Sequence, residues 1–295
     1  MTPAEQRSLV APALRSDAHK GNAGRVLCLA GSREMPGAAV LTVRGALRGG
    51  AGLVTAACLA ENLLQILPIA APEAVLRDLG RLTDLPFLLE TGDFHATVVG
   101  PGLGLERGAE VLQALLRARR RTGSERPLVL DADALNALGA LEDRAESLAQ
   151  EPGTLVLTPH PGEAGRLLGR AVPEDEAGRV ACARDLAART GAICCLKGRG
   201  TVVVEGDLVY VNDTGNAGMA TAGAGDVLTG IMGAYLALCA TGEHPHWTPF
   251  DAVCAAVRAH GHAGDLAAAH QGQRGLVASD LVTFLPAAQR RLAEA

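Results

Sequence analysis

The sequence predicts an α/β fold on a mainly parallel sheet, and three observations carry that expectation. Short apolar runs recur along the chain and end at glycines or acids before a helix-like stretch: RVLCLAGS, ATVVGPGLG, PLVLDADAL, TLVLTPHPGE and AICCLKGRG. This is the alternation of strand and helix expected of parallel pairing. The runs are continuously apolar, as strands covered on both faces should be. Finally, TVVVEG and DLVYVND flank Glu205-Gly206-Asp207 like the arms of a hairpin, which makes one edge of the sheet antiparallel.

Between and after the strands, helices are expected at Ala38 to Arg48, Glu106 to Arg121, Asp175 to Arg189, Val227 to Ala240, Pro249 to Ala269 and Ser279 to Leu292. Pro286 is a point where the last one kinks or ends, because proline removes a backbone donor. No Pro/Ser-rich linker, charge block or repeat divides the 295 residues, so a single domain over 1–295 is the simpler expectation.

Composition excludes several classes of function. The 36 glycines are dispersed at turns without a G-X-Y period, which is a globular pattern. With 27 Lys+Arg against 32 Asp+Glu the net charge is -5, which offers no footprint for nucleic acid or anionic lipid. An anionic ligand must be captured locally. The seven cysteines show no C-x-x-C spacing and mostly sit among apolar residues, the pattern of a reduced cytoplasmic protein. The amino terminus lacks a signal-peptide run, and the longest uncharged stretch after Asp226 is too short to cross a bilayer.

The chemistry concentrates at Gly223-Ala224-Gly225-Asp226, small residues directly before an apolar helix. Amides of Ala224, Gly225 and Asp226 at that helix's N-terminus would form an anion site, and the glycines would let the backbone approach a phosphate closely. Asp226 is then placed to accept a proton from an attacking hydroxyl. A helix-capping aspartate explains the same spacing. Polar residues at other strand ends raise the first reading, since open α/β sheets bind ligands beyond the carboxyl ends of their strands. Among them, His160 and Glu163 are candidates to face a common crevice, with Glu163 holding Mg²⁺ directly or through water. A turn histidine and a first-turn helix acid are the plainer account of the pair.

At this point the residues resemble the ribokinase-like superfamily and, within it, the ADP- or ATP-dependent NAD(P)H-hydrate dehydratases. The resemblance runs from HKGNAGRVLCLAGSREMPGAAVLTVRGALRGGAGLV through VVGPGLG, LVLDADALNAL, LTPHPGE, LKGRGTVV and NDTGNAGMATAGAGDVLTGIMGAYLA to AAVRAHGHAGDLAA. It implies a three-layer α/β/α fold and repair of hydrated nicotinamide cofactors, in which the hydrate hydroxyl is phosphorylated and phosphate is then eliminated. Asp226 matches the family's catalytic aspartate and a contact to the hydrate. Ala38 or Ala39, Gly102 or Gly104, and His160 match further hydrate contacts. Lys197, Gly198, Arg199, Gly200 and Thr201 match the K-G-x-x-T segment of the adenine nucleotide site, to which Gly225 also belongs. Asn212, Thr214, Gly215 and Asn216 match an N-x-T-G-N element near the nucleotide phosphates, and Gly223 and Ala224 join Gly225 in the anion-binding turn.

Two departures accompany the resemblance. The family's G-G-T-G-D turn is replaced by one with Ala222 and Ala224 at the first Gly and the Thr, which keeps the backbone donors and removes a hydroxyl. The chain also begins about one helix before the first motif, as in stand-alone dehydratases that work with a separate NAD(P)H-hydrate epimerase. The resemblance further implies a homo-oligomer, often a tetramer.

Two rival readings use the same turn. A vitamin-type kinase acting on hydroxyethylthiazole, hydroxymethylpyrimidine or pyridoxal would keep the turn and aspartate, but PGAA, HPGE and K-G-x-x-T together point to the dehydratase branch. A non-enzymatic dinucleotide-binding module would need G-x-G-x-x-G, whose last glycine falls here on Arg107. A zinc site from His244, His246, His260, His262 and His270 lacks a companion cysteine pair, and Cys194-Cys195 has the apolar setting of a buried strand.

Overall fold

The computed structural model describes residues 9–14, 16–139 and 148–294. Residues 1–8, where no signal peptide is expected, lie outside that set. Nine strands form one sheet in the order β3-β2-β1-β4-β5-β6-β7-β8-β9. They are β1 (Arg25–Leu29), β2 (Leu53–Cys58), β3 (Val75–Asp78), β4 (Ala96–Val99), β5 (Leu128–Leu130), β6 (Leu155–Leu157), β7 (Ile193–Leu196), β8 (Val202–Glu205) and β9 (Leu208–Val211). All neighbours from β3 to β7 pair in parallel, whereas β7–β8 and β8–β9 are antiparallel. The expected parallel sheet with an antiparallel edge is therefore present. The sequence reading did not name β2 or β3, nor the short helices at Leu63–Ala70, Leu85–Thr91, Ala132–Leu138 and Pro161–Leu168.

Strand side chains alternate between two helical layers. On one face Val26, Cys28, Val54, Val98, Val129, Val156 and Cys195 pack under α1 (Pro36–Arg48), α2 (Leu63–Ala70), α8 (Ala224–Ala240), α9 (Pro249–Gln271) and α10 (Ala278–Glu294). On the other, Leu27, Leu29, Val99, Leu130, Leu157, Cys194 and Leu196 pack under α3 (Leu85–Thr91), α4 (Leu105–Thr122), α5 (Ala132–Leu138), α6 (Pro161–Leu168) and α7 (Glu176–Thr190). From β4 to β7 each strand residue is buried by one layer or the other, which is why those runs lack a polar face. All seven cysteines are free, and only Cys239 is not buried. Helix α10 continues through Pro286 to Glu294 rather than ending there.

Two features of this packing position the site. Helices α1 and α8 cross so closely that a Cβ at Gly230 would lie 2.1 Å from the Thr42 carbonyl oxygen, which fixes the N-terminus of α8 against α1. Strand β1 has β2 on one side and β4 on the other, so the winding of the sheet reverses there. Such a reversal opens a crevice beyond the carboxyl ends of the strands.

Candidate active site

The carboxyl ends of β5 and β7 and the first turn of α8 converge on one buried aspartate. Asp131 follows the apolar run Leu128–Leu130 directly and is 1% exposed. Its Oδ1 accepts from Lys197 Nζ at 2.5 Å and its Oδ2 from Thr229 Oγ1 at 2.5 Å. One carboxylate thus ties the end of β7 and helix α8 to the end of β5. Burial lowers the Lys197 pKa, but Asp131 and then Glu163 outweigh it, so the ammonium is held charged. A Cβ at Gly225 would lie 3.4 Å from Lys197 Nζ, which places that cation beside the glycine turn.

The turn itself has the geometry of an anion site. Gly223 caps α8 with φ +87°, a backbone conformation that favours glycine, and a Cβ there would have to displace the tip of the Leu41 side chain, 2.3 Å away. Ala224 N donates to the Thr221 carbonyl at 3.4 Å, whereas the amides of Gly225 and Asp226 find no acceptor among the described residues. The expected set of three free amides is therefore two. His260 Nε2, buried under the turn from α9, donates to the Ala224 carbonyl at 2.9 Å. Burial lowers the His260 pKa to about 4, so the ring is neutral and braces the turn from below.

Asp226 stands in the first turn of α8, and its carboxylate has no hydrogen-bond partner among the described residues. Its pKa is pushed up to about 6, first by burial and then by Asp131 and Asp133, against the lowering effect of Lys197. A free carboxylate poised near neutrality beside donors for an anion is suited to general-base work.

The remaining candidates divide by what their side chains already do. Ala38 is partly exposed and close to Gly102, whose Cβ would lie 2.5 Å from the Ala38 Cβ. Ala39 is buried and packs on Gly31. Gly104 caps α4, and its amide donates to Asp133 Oδ2 at 2.8 Å. His160 caps α6: its Nδ1 accepts from the amides of Gly162 and Glu163, and Glu163 Oε2 accepts from the His160 amide at 2.8 Å. The plainer account of this pair, a capping turn, is thus realised. Glu163 Oε1 lies 3.5 Å from His160 Nε2.

In the N-x-T-G-N element, Asn212 Oδ1 accepts from Tyr210 OH and Thr214 Oγ1, and Asn212 Nδ2 donates to the Thr214 carbonyl. Asp265 of α9 accepts from the Gly215 amide at 2.8 Å and from Asn216 Nδ2 at 3.0 Å. These side chains shape the loop, and a ligand would meet mainly its backbone. In the segment from Lys197 to Thr201, Arg199 is exposed, and Thr201 Oγ1 donates to the Gly198 carbonyl at 2.9 Å.

Sequence reasoning singled out neither Asp131, Asp133, Thr229 and Asp265 nor Arg179, and met His260 only within the histidine set declined as a zinc site. Only Asp131 carried a signal, an acid immediately after an apolar strand run. The others act through partners distant in sequence.

Among the described residues no three His, Cys, Asp or Glu side chains group as a metal cage. The buried Glu163 carboxylate, close enough to act on Lys197, fits instead the way Mg²⁺ is held by one or two carboxylates, waters and substrate phosphates.

Fold and site together define a ribokinase-like α/β protein in which a glycine turn at a helix N-terminus faces a fixed lysine and an unpaired aspartate. A profile of the NAD(P)H-hydrate dehydratase family matches residues 26–287. The chain belongs to that family. It is 41% identical over 284 residues to the bifunctional NAD(P)H-hydrate repair enzyme of Escherichia coli, covering 96% of this chain and 50% of the relative. The chain thus spans about half the length of the bifunctional relatives it matches. An ADP-dependent (S)-NAD(P)H-hydrate dehydratase of Neisseria meningitidis is 39% identical over 268 residues, covering 90% of this chain and 84% of that one. The crystal structure of ADP/ATP-dependent NAD(P)H-hydrate dehydratase from Bacillus subtilis, co-crystallized with ATP/Mg²⁺, superposes with a TM-score of 0.81 at 31% identity, covering 99% and 97% of the two chains.

Proposed function

We propose that the chain dehydrates the S-form of NAD(P)H hydrate to NAD(P)H at the expense of ADP or ATP. One observation carries the mechanism: Asp226 is unpaired, its pKa is raised to about 6, and it sits beside the free amides of Gly225 and Asp226 and the Lys197 ammonium. Asp226 takes the proton of the hydrate hydroxyl as that oxygen bonds to the terminal phosphorus of the nucleotide and the bond from that phosphorus to its bridging oxygen breaks, releasing AMP from ADP or ADP from ATP. The glycine-turn amides and Lys197 stabilise charge on the transferring group. Phosphorylation turns a poor leaving group into a good one. The ring nitrogen's lone pair then expels phosphate, and loss of a ring proton restores the dihydropyridine.

Ala38, Ala39, Gly102, Gly104 and His160 line the hydrate side in this reading. Lys197 to Thr201, Asn212, Thr214, Gly215, Asn216, Gly223, Ala224 and Gly225 serve the nucleotide side. Mg²⁺ would be held by Glu163 together with the nucleotide phosphates, where it supplies charge neutralisation. No described helix is long and apolar enough to cross a membrane, and the place of action in this reading is the cytoplasm. The functional partner is an NAD(P)H-hydrate epimerase activity, which supplies the S-form, and the working unit is a homotetramer, to be measured by light scattering.

The test follows NADH absorbance from purified hydrate with ADP or ATP and Mg²⁺. Recovery of absorbance with stoichiometric phosphate release supports the dehydratase. Accumulation of a stable phosphate ester, from the hydrate or from a vitamin alcohol, supports the kinase reading instead.

A further inference from the structure

Arg179 of α7 is a buried cation without a counter-ion. It is 7% exposed, burial lowers its pKa, and no carboxylate pairs with it among the described residues. Among the described residues the other buried arginine is Arg119; burial lowers its pKa too, but there the nearby Glu151 carboxylate opposes the shift. A buried charge is costly unless an opposite charge and hydrogen bonds compensate it. Arg179 has only carbonyl dipoles: its Nη2 donates to Leu196 and Lys197 at 3.2 Å each and reaches the Gly200 oxygen at 3.5 Å, while its Nε has no acceptor.

The Lys197 and Gly200 carbonyls belong to the loop at Lys197–Thr201, and Leu196 ends β7 just before it. In a planar trans peptide the N–H opposes the C=O, so turning the Lys197 and Gly200 oxygens toward Arg179 turns the amides of Gly198 and Thr201 away from it. Among the described residues no acceptor is found for the amides of Gly198, Arg199, Gly200 or Thr201. The loop is one backbone layer thick over the guanidinium, since a Cβ at Gly198 would lie 3.2 Å from both Nη1 and Nη2. Four successive unpaired donors on one side and an uncompensated cation on the other make a concave anion receptor.

We propose that Arg179 is a positioning residue for the nucleotide, folding residues 197–201 into a receptor whose bound phosphate supplies the missing counter-charge through the loop. This rests on the reading of that segment as the nucleotide site. The guanidinium never touches the ligand. Its effect must therefore follow the ligand's negative charge and spare the adenosine moiety.

The experiment compares binding of ADP and of adenosine to the wild-type protein, Arg179→Gln and Arg179→Lys by calorimetry. The glutamine keeps a donor for the carbonyls and removes the charge, and the lysine keeps the charge. ADP affinity is expected to fall about tenfold in Arg179→Gln through loss of the loop's geometry and of the charge behind it. Adenosine affinity stays level, and Arg179→Lys recovers most of the loss. Equal losses for ADP and adenosine would make Arg179 merely structural, and wild-type ADP affinity in the glutamine variant would overturn the proposal outright. Failure of the wild type itself to bind ADP or ATP would sink the nucleotide-site reading instead. Should Arg179→Gln not fold, amide NMR of the wild type decides. The signals of Gly198–Thr201 must shift with ADP and inorganic phosphate and not with adenosine, and unmoved signals reject the proposal.

Discussion

Lys197 and Asp131 are joined at 2.5 Å across 66 positions of sequence, and the pair reaches over the end of β6, the strand that separates β5 from β7. Lys197 could otherwise turn toward Asp226, whose ionisation it already favours. Held by Asp131, it stays a cation, available to a phosphoryl group under the proposed function, and leaves Asp226 without a partner among the described residues.

Asp131→Ala strands a largely buried ammonium and the Thr229 hydroxyl together. The expected cost is about 3 kcal/mol of stability, with turnover lowered further because Lys197 is released. Urea denaturation alongside kcat measures both. Unchanged stability would show that the pair contributes nothing to the fold.

Asp226→Asn is expected to lower kcat by roughly 100- to 10,000-fold, the range of general acid–base catalysis, with ADP binding nearly unchanged. Single-turnover assays and nucleotide titration separate the two effects. Full turnover in the variant would remove Asp226 from the chemistry.

The raised pKa of Asp226 has a sign in both activity and stability. The base must be ionised, so kcat/KM should climb as pH rises through about 6. Between 3.8 and about 6 the folded protein holds a proton that the unfolded chain has lost, so Asp226's contribution to stability falls as pH rises through that window. Asp226→Asn should therefore gain stability relative to wild type above pH 6. His260 works in the opposite direction: its pKa is lowered to about 4, and the stability gained by burying it neutral is lost as pH falls from 6.5 toward 4. Thermal melts of both proteins across pH 4–8 read the two slopes.

Gly223→Ala forces a side chain into a left-handed backbone position and against Leu41 Cδ1. A loss of about 1–3 kcal/mol is expected, with a raised KM for nucleotide because the free amides of α8 are displaced. Equilibrium unfolding and steady-state kinetics check this.

Glu163→Gln should raise the Mg²⁺ concentration needed for half-maximal activity while preserving α6, because glutamine also completes a capping box. A magnesium titration tests it. An unaltered requirement would leave Glu163 a capping residue alone.

The parallel core was legible because buried strands such as Arg25–Leu29 and Ala96–Val99 are apolar without interruption. Strand β3 was not, since at the sheet margin Arg77 and Asp78 are exposed and the run loses its apolar character. Helix α2 was hidden by Pro68 within it. At the site, the glycine turn and its aspartate were visible as a local pattern. Asp131 stood beside a strand end as one acid among many, and its importance comes from Lys197 and Thr229, which only folding brings to it. Arg179 looked like an ordinary helix arginine, because nothing local marks a side chain whose partners are carbonyls of a distant loop.

The hairpin of β8 and β9 leaves the ligand end of the sheet at Thr201, turns at the far end around Gly206, and returns to that end at Asn212. The turn is exposed, and a Cβ at Gly206 would meet nothing within 4 Å. The loops at Lys197–Thr201 and Asn212–Asn216, proposed to serve the nucleotide, are thus anchored by one short excursion whose tip lies at the other end of the sheet. For protein engineering, that tip is a port: an affinity handle or a fluorescent reporter spliced at Gly206 would sit opposite the crevice and leave both loops intact.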